Sequence, residues 1–384
     1  MIDVDYSLDQ FGRMLSDKVR MDAYSAAIVR AVRPGDAVVD LGCGPGVFAL
    51  LACKAGARAV YAIDTNGAVE FGRHLAAVNG YSDRIHFMRG DSRQMHLPER
   101  VDVIVSDVRG VLPLFSQAVG TLEDARVRFL AEGGRLIPQR DVLCVAVVQL
   151  SKPYEQLTTG WESAGQQIDL SSGLPLILNS IYRQKLQPEH LLSEARQWHT
   201  LNYDTGAKTS AQARIELPIL RGDVGHGLGI WFQTVLTDDI GYSSGPINAE
   251  NIYGQTFLPW LEPVALQEGD VCCVDLRAHL VGNSYVWQWE TNIPAAARRE
   301  QVHFRQSSFY GSLFPASLLQ KRAVDFVPVL NEFGQAERWI LQAMDGKRPL
   351  HEIAAEAARL YPHIFRREEE AFNQVAEIAE KFSR

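Results

Sequence analysis

Several things are scarce in this sequence, and each scarcity narrows the function. There are only five cysteines in 384 residues: Cys43, Cys53, Cys144, Cys272 and Cys273. An odd number with no zinc-ligand spacing argues against a disulfide framework and a metal site, and for a reducing cytoplasm. No apolar run approaches the ~20 residues that cross a bilayer. Residues 1–5 are acidic and lack the basic-then-apolar order of a signal peptide. Positive charge is not in excess: 38 Lys and Arg face 46 Asp and Glu, a net −8. That balance excludes a general nucleic-acid binder. Internal repeats and low-complexity tracts are also absent. What remains is 46% hydrophobic and 22% charged, ordinary for a globular chain and long enough for two or three domains.

What is present starts with Val38-Val39-Asp40-Leu41-Gly42-Cys43-Gly44-Pro45-Gly46. An apolar, valine-rich run reads as a buried strand, and the segment from Val47 to Cys53 reads as a helix that stops near Gly56. Strand, glycine turn and helix form the opening unit of a nucleotide-binding α/β sheet, with free N–H groups at the helix start aimed at the ligand. The spacing is G-x-G-x-G after an aspartate, which fits an S-adenosylmethionine loop better than the G-x-G-x-x-G of a dinucleotide loop. The second strand, 59–63, ends in Asp64, 22 residues past Gly42. That is close to the ~20 at which an acid meets ribose hydroxyls; the other reading of Asp64 is a helix N-cap. A helix over 67–79 and a strand over 85–88 lead to Asp91-Ser92. There, Asp91 would accept from the adenine amino group and the Ser92 N–H would face the ring, or the pair is a plain turn. The fourth strand, 101–106, ends in Asp107 at the same crevice, and a fifth follows Gly133-Gly134.

The pattern changes after 140. Strand-like runs at 142–150, 212–220, 227–237, 269–280, 284–292 and 301–309 follow without helices between them, which predicts an antiparallel sheet or barrel. Residues 165–200 interrupt it. Three helix patterns close the chain from Asn331, which is placed as an N-cap. The predicted class is α/β plus all-β. Its parts are N-terminal helices at 1–32, a Rossmann-like sheet at 33–140, a β-barrel at 141–310 and a small helical domain at 325–384.

Read together, these segments resemble a protein arginine methyltransferase over roughly 5–310. Met14-Leu15-Ser16-Asp17-Lys18-Val19-Arg20-Met21-Asp22-Ala23-Tyr24 is similar to the family's M-L-x-D-x-x-R-T-x-x-Y segment. Residues 39–46, 125–130, 133–138, 225–232 and 243–246 resemble its glycine loop, A-R-d-r-x-L, G-G-x-x-x-P, H-G-x-x-x-W-F and S-T-x-P motifs. The resemblance implies a class I, S-adenosylmethionine-dependent methyltransferase. Its cofactor would be bound by Arg20, Asp40, Gly42, Gly44 and Asp64, with Asp91 and Ser92 beside the adenine. Arg20 would pair with the cofactor carboxylate, since a planar guanidinium suits two parallel bonds; pairing with Asp17 is the other reading. The resemblance also implies a helical arm near 170–190 and a homodimer.

The departures lie at the acceptor end. The family holds its substrate guanidinium between two glutamates of S-E-W-M-G-Y-x-x-x-x-E. Here the loop reads Ser106-Asp107-Val108-Arg109-Gly110-Val111, with Ser116 at the second glutamate. The family's T-H-W becomes Asn251-Ile252-Tyr253, and Phe11 stands where a histidine is usual. Asp107 is the candidate to orient or deprotonate the acceptor, with Ser116 and Arg109 as acceptor contacts. Losing one clamping carboxylate removes a charge-assisted bond of about 1.5–3 kcal/mol. The expected acceptor is therefore a peptide or specialised metabolite offering a less cationic nitrogen, an oxygen, or a carboxylate that Arg109 binds. Alternatively, Arg109 turns to solvent or pairs with Asp107 or Glu123. A second reading makes the protein a catalytically weak assembly partner that binds S-adenosylmethionine or a peptide.

The last ~55 residues resemble a PqqD-like winged-helix domain, through Pro328-Val329-Leu330-Asn331-Glu332 and Met344-Asp345-Gly346-Lys347-Arg348-Pro349-Leu350. Such domains capture a peptide by adding it as a strand. A DNA-binding use is opposed by charge, since residues 325–384 hold 8 Lys and Arg against 11 Asp and Glu.

Overall fold

The computed structural model describes residues 6–162, 168–248, 251–295, 300–313, 320–321 and 323–383. They form two compact units, Met1–Leu313 and Phe314–Arg384.

The first unit opens with helices α1 (Leu8–Ser16) and α2 (Lys18–Ala31). Ser7 and Gln10 form a reciprocal capping box on α1. Asp17 is the hinge between the two helices. It ends α1, and its Oδ1 accepts from the Arg20 N–H at 3.1 Å to start α2. A short acid that satisfies an orphan N–H is a preferred N-cap, which is why one apolar stripe becomes two helices.

A parallel sheet follows. Its strands are β1 (Ala37–Leu41), β2 (Ala59–Asp64), β3 (Ile85–Arg89), β4 (Val101–Ser106) and β5 (Leu130–Ile137), in the order β3-β2-β1-β4-β5. Helices α3 (Val47–Ala55), α4 (Ala68–Val78) and α5 (Ala118–Phe129) connect them. All five residues of β1 are buried, as expected of a strand covered on both faces. Strand order reverses at β1, which has β2 on one side and β4 on the other. A crevice at such a switch point, at the carboxyl ends of the strands, is the general ligand site of open α/β sheets.

From β6 (Arg140–Val148) the chain is antiparallel. One sheet runs from β7 (Tyr182–Gln184) through β12 (Gln255–Ala265), β10 (Val224–Thr237) and β6 to β8 (Arg196–Asn202), with β11 (Ile240–Ser243) paired to β10. The other has β15 (Val302–Ser307), β14 (Ser284–Ile293), β13 (Val271–Val281) and β9 (Ser210–Pro218). The runs predicted at 212–220, 227–237, 269–280, 284–292 and 301–309 correspond to five of these. β7, β8, β11 and β12 fall outside the predicted runs, and β12 carries Pro259 in its centre, a residue unusual in an interior strand. The structure places Pro259 opposite Gly227, where the β10–β12 register shifts. A bulge there removes the need for the missing N–H.

The interruption of the barrel begins earlier than expected. Helix α6 (Ser151–Glu162) precedes it, and α7 (Leu174–Leu178) lies in the predicted arm. Val148, Leu150, Tyr154, Leu178, Leu186 and Phe257 give this region a small core of its own. Residues 163–167 of the excursion lie outside the described residues. One continuous core joins the parallel sheet to the antiparallel ones, with Trp260, Trp287 and Trp289 fully buried in it.

The second unit has helices α8 (Glu332–Ala343), α9 (Leu350–Leu360) and α10 (Glu368–Phe382). Asn331 caps α8 by accepting from the Gly334 N–H at 2.8 Å. Small residues dominate its core: Ala336, Ala343, Ala354, Ala357 and Ala371 pack with Ile340, Ile353 and Val375. Phe333, expected on the apolar face, is 45% exposed. Among the described residues this unit contains no strand, so a winged-helix wing is not seen.

Candidate active site at the switch point

The glycine loop leaves β1 with Gly42, Gly44 and Gly46 at φ of +74°, +50° and +77°. Residues with a Cβ rarely adopt this region. Crowding reinforces the choice: a Cβ on Gly44 would lie 2.4 Å from the Phe11 ring, and one on Gly42 would lie 2.3 Å from Val108 Cγ1. The segments on either side of the loop, α1 and the turn after β4, are therefore packed directly on it. Asp64 ends β2. One of its oxygens accepts from the Gly44 N–H at 2.7 Å and the other from the Asn66 N–H at 2.9 Å. Asp64 thus braces the glycine loop and the turn ahead of α4, and the N-cap of that helix is Gly67 and not Asp64.

Beneath the loop, Asp40 Oδ2 accepts from the Ala49 N–H at 2.9 Å. Its Oδ1 is buried with no partner. Burial pushes the Asp40 carboxyl up to about 7, helped by the nearby Asp64 and opposed by the Ala49 bond.

Asp91 and Ser92 follow the end of β3, and each already has a partner at one of its groups. Asp91 is held by the Arg93 guanidinium, with Nη2 at 2.8 Å, which lowers its pKa. The Ser92 carbonyl accepts from Arg128 Nη2 at 2.7 Å. The expected adenine acceptor at Asp91 is therefore already occupied by its neighbour.

The acceptor end is a closed network. Arg20 Nε donates to Asp107 Oδ2 at 2.5 Å, and the Tyr253 hydroxyl donates to the same oxygen at 2.6 Å. The other Asp107 oxygen takes Arg109, with Nη2 at 3.0 Å and Nε at 3.3 Å. Arg109 continues inward. Its Nη1 donates to Asp141 at 2.7 Å and to the Thr234 hydroxyl at 2.6 Å. Its Nη2 also donates to the Tyr24 and Tyr242 hydroxyls at 2.6 and 2.8 Å. Phe232 lies 5.0 Å from the Arg109 guanidinium carbon, in cation–π range. The second Asp141 oxygen accepts from the Tyr203 hydroxyl at 2.8 Å.

Two arginines and two aspartates thus neutralise each other in a site where Arg109 is only 3% exposed. Burial alone would raise the Asp107 pKa, but Arg20, Arg109 and the Tyr253 hydroxyl outweigh it and hold the carboxyl below its usual value. Burial likewise opposes the Arg109 charge, and Asp141, Tyr24, Tyr242 and Asp107 together more than offset it. Arg109 therefore does not turn to solvent or meet Glu123, which pairs with Arg126. Arg20 pairs with Asp107 rather than with the Asp17 side chain, which serves as a cap. Ser116 is not joined to this network by any hydrogen bond among the described residues; its neighbours Leu114 and Phe115 are fixed by Trp287.

Sequence reasoning did not single out Asp141, Thr234, Tyr203 or Tyr242. Tyr24 and Tyr253 stood in quoted motifs without an assigned role.

Comparison with known proteins now bears on this geometry. Residues 23–138 match the family model of the ribosomal protein L11 methyltransferase, PrmA. Protein arginine N-methyltransferase 1 of Saccharomyces cerevisiae is 26% identical over 277 residues, covering 69% of this chain and 79% of that protein. Protein arginine N-methyltransferase 2 of Xenopus tropicalis is 29% identical, over 67% of this chain and 63% of that one. The chain is protein arginine methyltransferase-like.

Solved structures show the same fold. The Trypanosoma brucei PRMT1 enzyme–prozyme heterotetramer with AdoHcy gives a TM-score of 0.72 at 20% identity, covering 77% of this chain and 97% of that one. Arabidopsis thaliana protein arginine methyltransferase 10 gives 0.69 at 20% identity, over 79% and 97%. Asp64 and the glycine loop are joined directly, and Arg20 lies against Phe48 of the helix that follows the loop.

S-adenosylmethionine is the cofactor this set fits. Asp40 Oδ1, buried beneath the loop, has no partner, and Arg20 Nη2 donates to no group among the described residues. The glycine backbone offers close approach. Among the described residues there is no His, Cys, Asp and Glu grouping that would hold a metal ion, and no helix long and apolar enough to cross a membrane.

Proposed function

We propose that this protein is an S-adenosylmethionine-dependent methyltransferase of the arginine methyltransferase type whose acceptor is not an ordinary protein arginine. Arg20 would hold the cofactor carboxylate, Asp64 its ribose and Gly42 and Gly44 its closest approach to backbone. The observation that carries the altered acceptor is the state of Asp107. Both of its oxygens are bound by the protein's own cations, so a third guanidinium finds no free carboxylate there.

A peptide or specialised metabolite presenting a neutral nitrogen or an oxygen suits this site. An acceptor carboxylate held by Arg109 does not, because the five N–H bonds of that guanidinium are already matched by six acceptor contacts. Methyl transfer needs chiefly alignment of nucleophile and sulfonium methyl, and we assign that task to Asp107 with the Tyr253 hydroxyl bound to it. Incubation with labelled S-adenosylmethionine, an arginine-rich peptide and, separately, native extract tests this reading. Label in an extract component and none in the peptide is expected; robust peptide methylation would sink it.

A second reading, a cofactor-binding assembly partner, draws support from the same closed network and from the T. brucei complex, which pairs an enzyme with a prozyme. Cofactor binding without turnover of any extract component would favour it. Head-to-tail pairing through the arm near 170–190 belongs to both readings and is tested by sedimentation. Peptide capture by strand addition in the C-terminal unit has less support, since its described residues offer no strand edge.

A further inference from the structure

We infer that Arg109 is a resident occupant of a guanidinium-binding pocket, and that removing its side chain leaves a site selective for a free alkylguanidinium. This rests on the proposed function only for its location; the binding itself needs no cofactor.

The surroundings of the Arg109 head are those of a built cation site. Asp107 and Asp141 approach it from two sides, at 3.0 and 2.7 Å. Thr234, Tyr24 and Tyr242 supply hydroxyl oxygens at 2.6 to 2.8 Å. Phe232 covers one face. Five acceptors and an aromatic face match a planar group with five N–H donors, and do not match an ammonium ion, which has three and no plane.

These groups come from distant parts of the first unit: α2, the turn after β4, β6, β10 and β11. Such a site is held by the fold and not by Arg109 alone. Tyr24 also donates to the Ser106 carbonyl, and Tyr203 donates to Asp141, so two of the walls keep their orientation without the guanidinium. The family motif has methionine at the position of Arg109, so the occupant is a feature of this chain.

The test uses the full chain with Arg109→Ala. Ethylguanidinium at millimolar concentration is expected to raise the melting temperature of this variant by on the order of 3 °C, saturably. Ethylammonium at the same concentration should not, and the wild type should respond to neither. Should Arg109→Ala fail to fold alone, recovery of folded protein on refolding with ethylguanidinium is the same positive result. The double variant Arg109→Met, Asp141→Asn, which removes one unpaired charge, provides the second measurement. Indifference of both variants to ethylguanidinium overturns the inference.

Adding labelled S-adenosylmethionine separates this from the functional proposal. In transfer, the guanidine nitrogen bonds to the sulfonium methyl carbon, the C–S pair returns to sulfur to give the thioether, and one proton leaves the nitrogen for water. Binding with transfer supports both; binding without transfer upholds the pocket, and the functional proposal is then decided by label in an extract component, since it expects no guanidinium acceptor.

Discussion

The two ends of one crevice follow opposite rules. At the glycine-loop end capacity is kept in reserve: Asp64 uses each oxygen once, and Asp40 Oδ1, buried beneath the loop, has no partner. At the Asp107 end every charge is matched within the protein. A site made for a visitor leaves its polar groups unmet, and a site that is satisfied internally has no need of one.

The sharpest way to break that contrast is Arg109→Ala. It leaves Asp107 and Asp141 buried with one fewer cation between them, and a destabilisation of about 3–5 kcal/mol is expected in urea melts. A loss below about 1 kcal/mol would show that the network is not closed.

Asp40→Asn probes the other end. The Asp40 pKa is about 7 when folded, against 3.8 for an aspartate free in water, so the folded state keeps a proton that the unfolded state releases. Stability from this group therefore falls as pH rises from about 4 through 7. At about 1.4 kcal/mol per unit, the asparagine variant should gain on wild type by up to about 4 kcal/mol across that window, with no further gain above about pH 8. Melts of both proteins at pH 5 and pH 8 check this, and a difference independent of pH would contradict it.

Asp64→Ala should act on binding more than on stability. Loss of a charged hydrogen-bond acceptor weakens S-adenosylmethionine by about 1.5–3 kcal/mol, read by titration calorimetry. Unchanged affinity would remove Asp64 from the cofactor site. The smallest effect is expected from Ser7→Ala, which removes the α1 cap for about 1 kcal/mol. It should appear as faster hydrogen exchange confined to residues 8–16, the helix that lays Phe11 on Gly44.

The same contrast governs what was legible in the sequence. The loop glycines, Asp64 and Arg20 belong to short motifs whose spacing follows from backbone geometry, so they could be read directly. The partners of Arg109 could not. Asp141, Thr234 and Tyr242 lie 32, 125 and 133 positions away from it, and Tyr253 lies 146 from Asp107. A lone aspartate near the start of a strand looks like surface until the sheet order is known. The departures from the family pattern marked the right loop but left Arg109 free to point several ways. Its direction was decided by tyrosines on other strands. The bulge that accommodates Pro259 in β12 was illegible for a different reason, because bulges are set by pairing and leave no local signature.

The Arg109 network also bears on how this site could change over generations. One guanidinium both fills the pocket and ties α2 and the parallel sheet to the antiparallel one. A change of Arg109 to methionine would empty that space and leave Asp141 buried without a cation, while Asp107 kept Arg20. Such a change would therefore pass through a poorly folded intermediate unless Asp141 changed with it. The pairing acts as a ratchet, hard to leave one residue at a time.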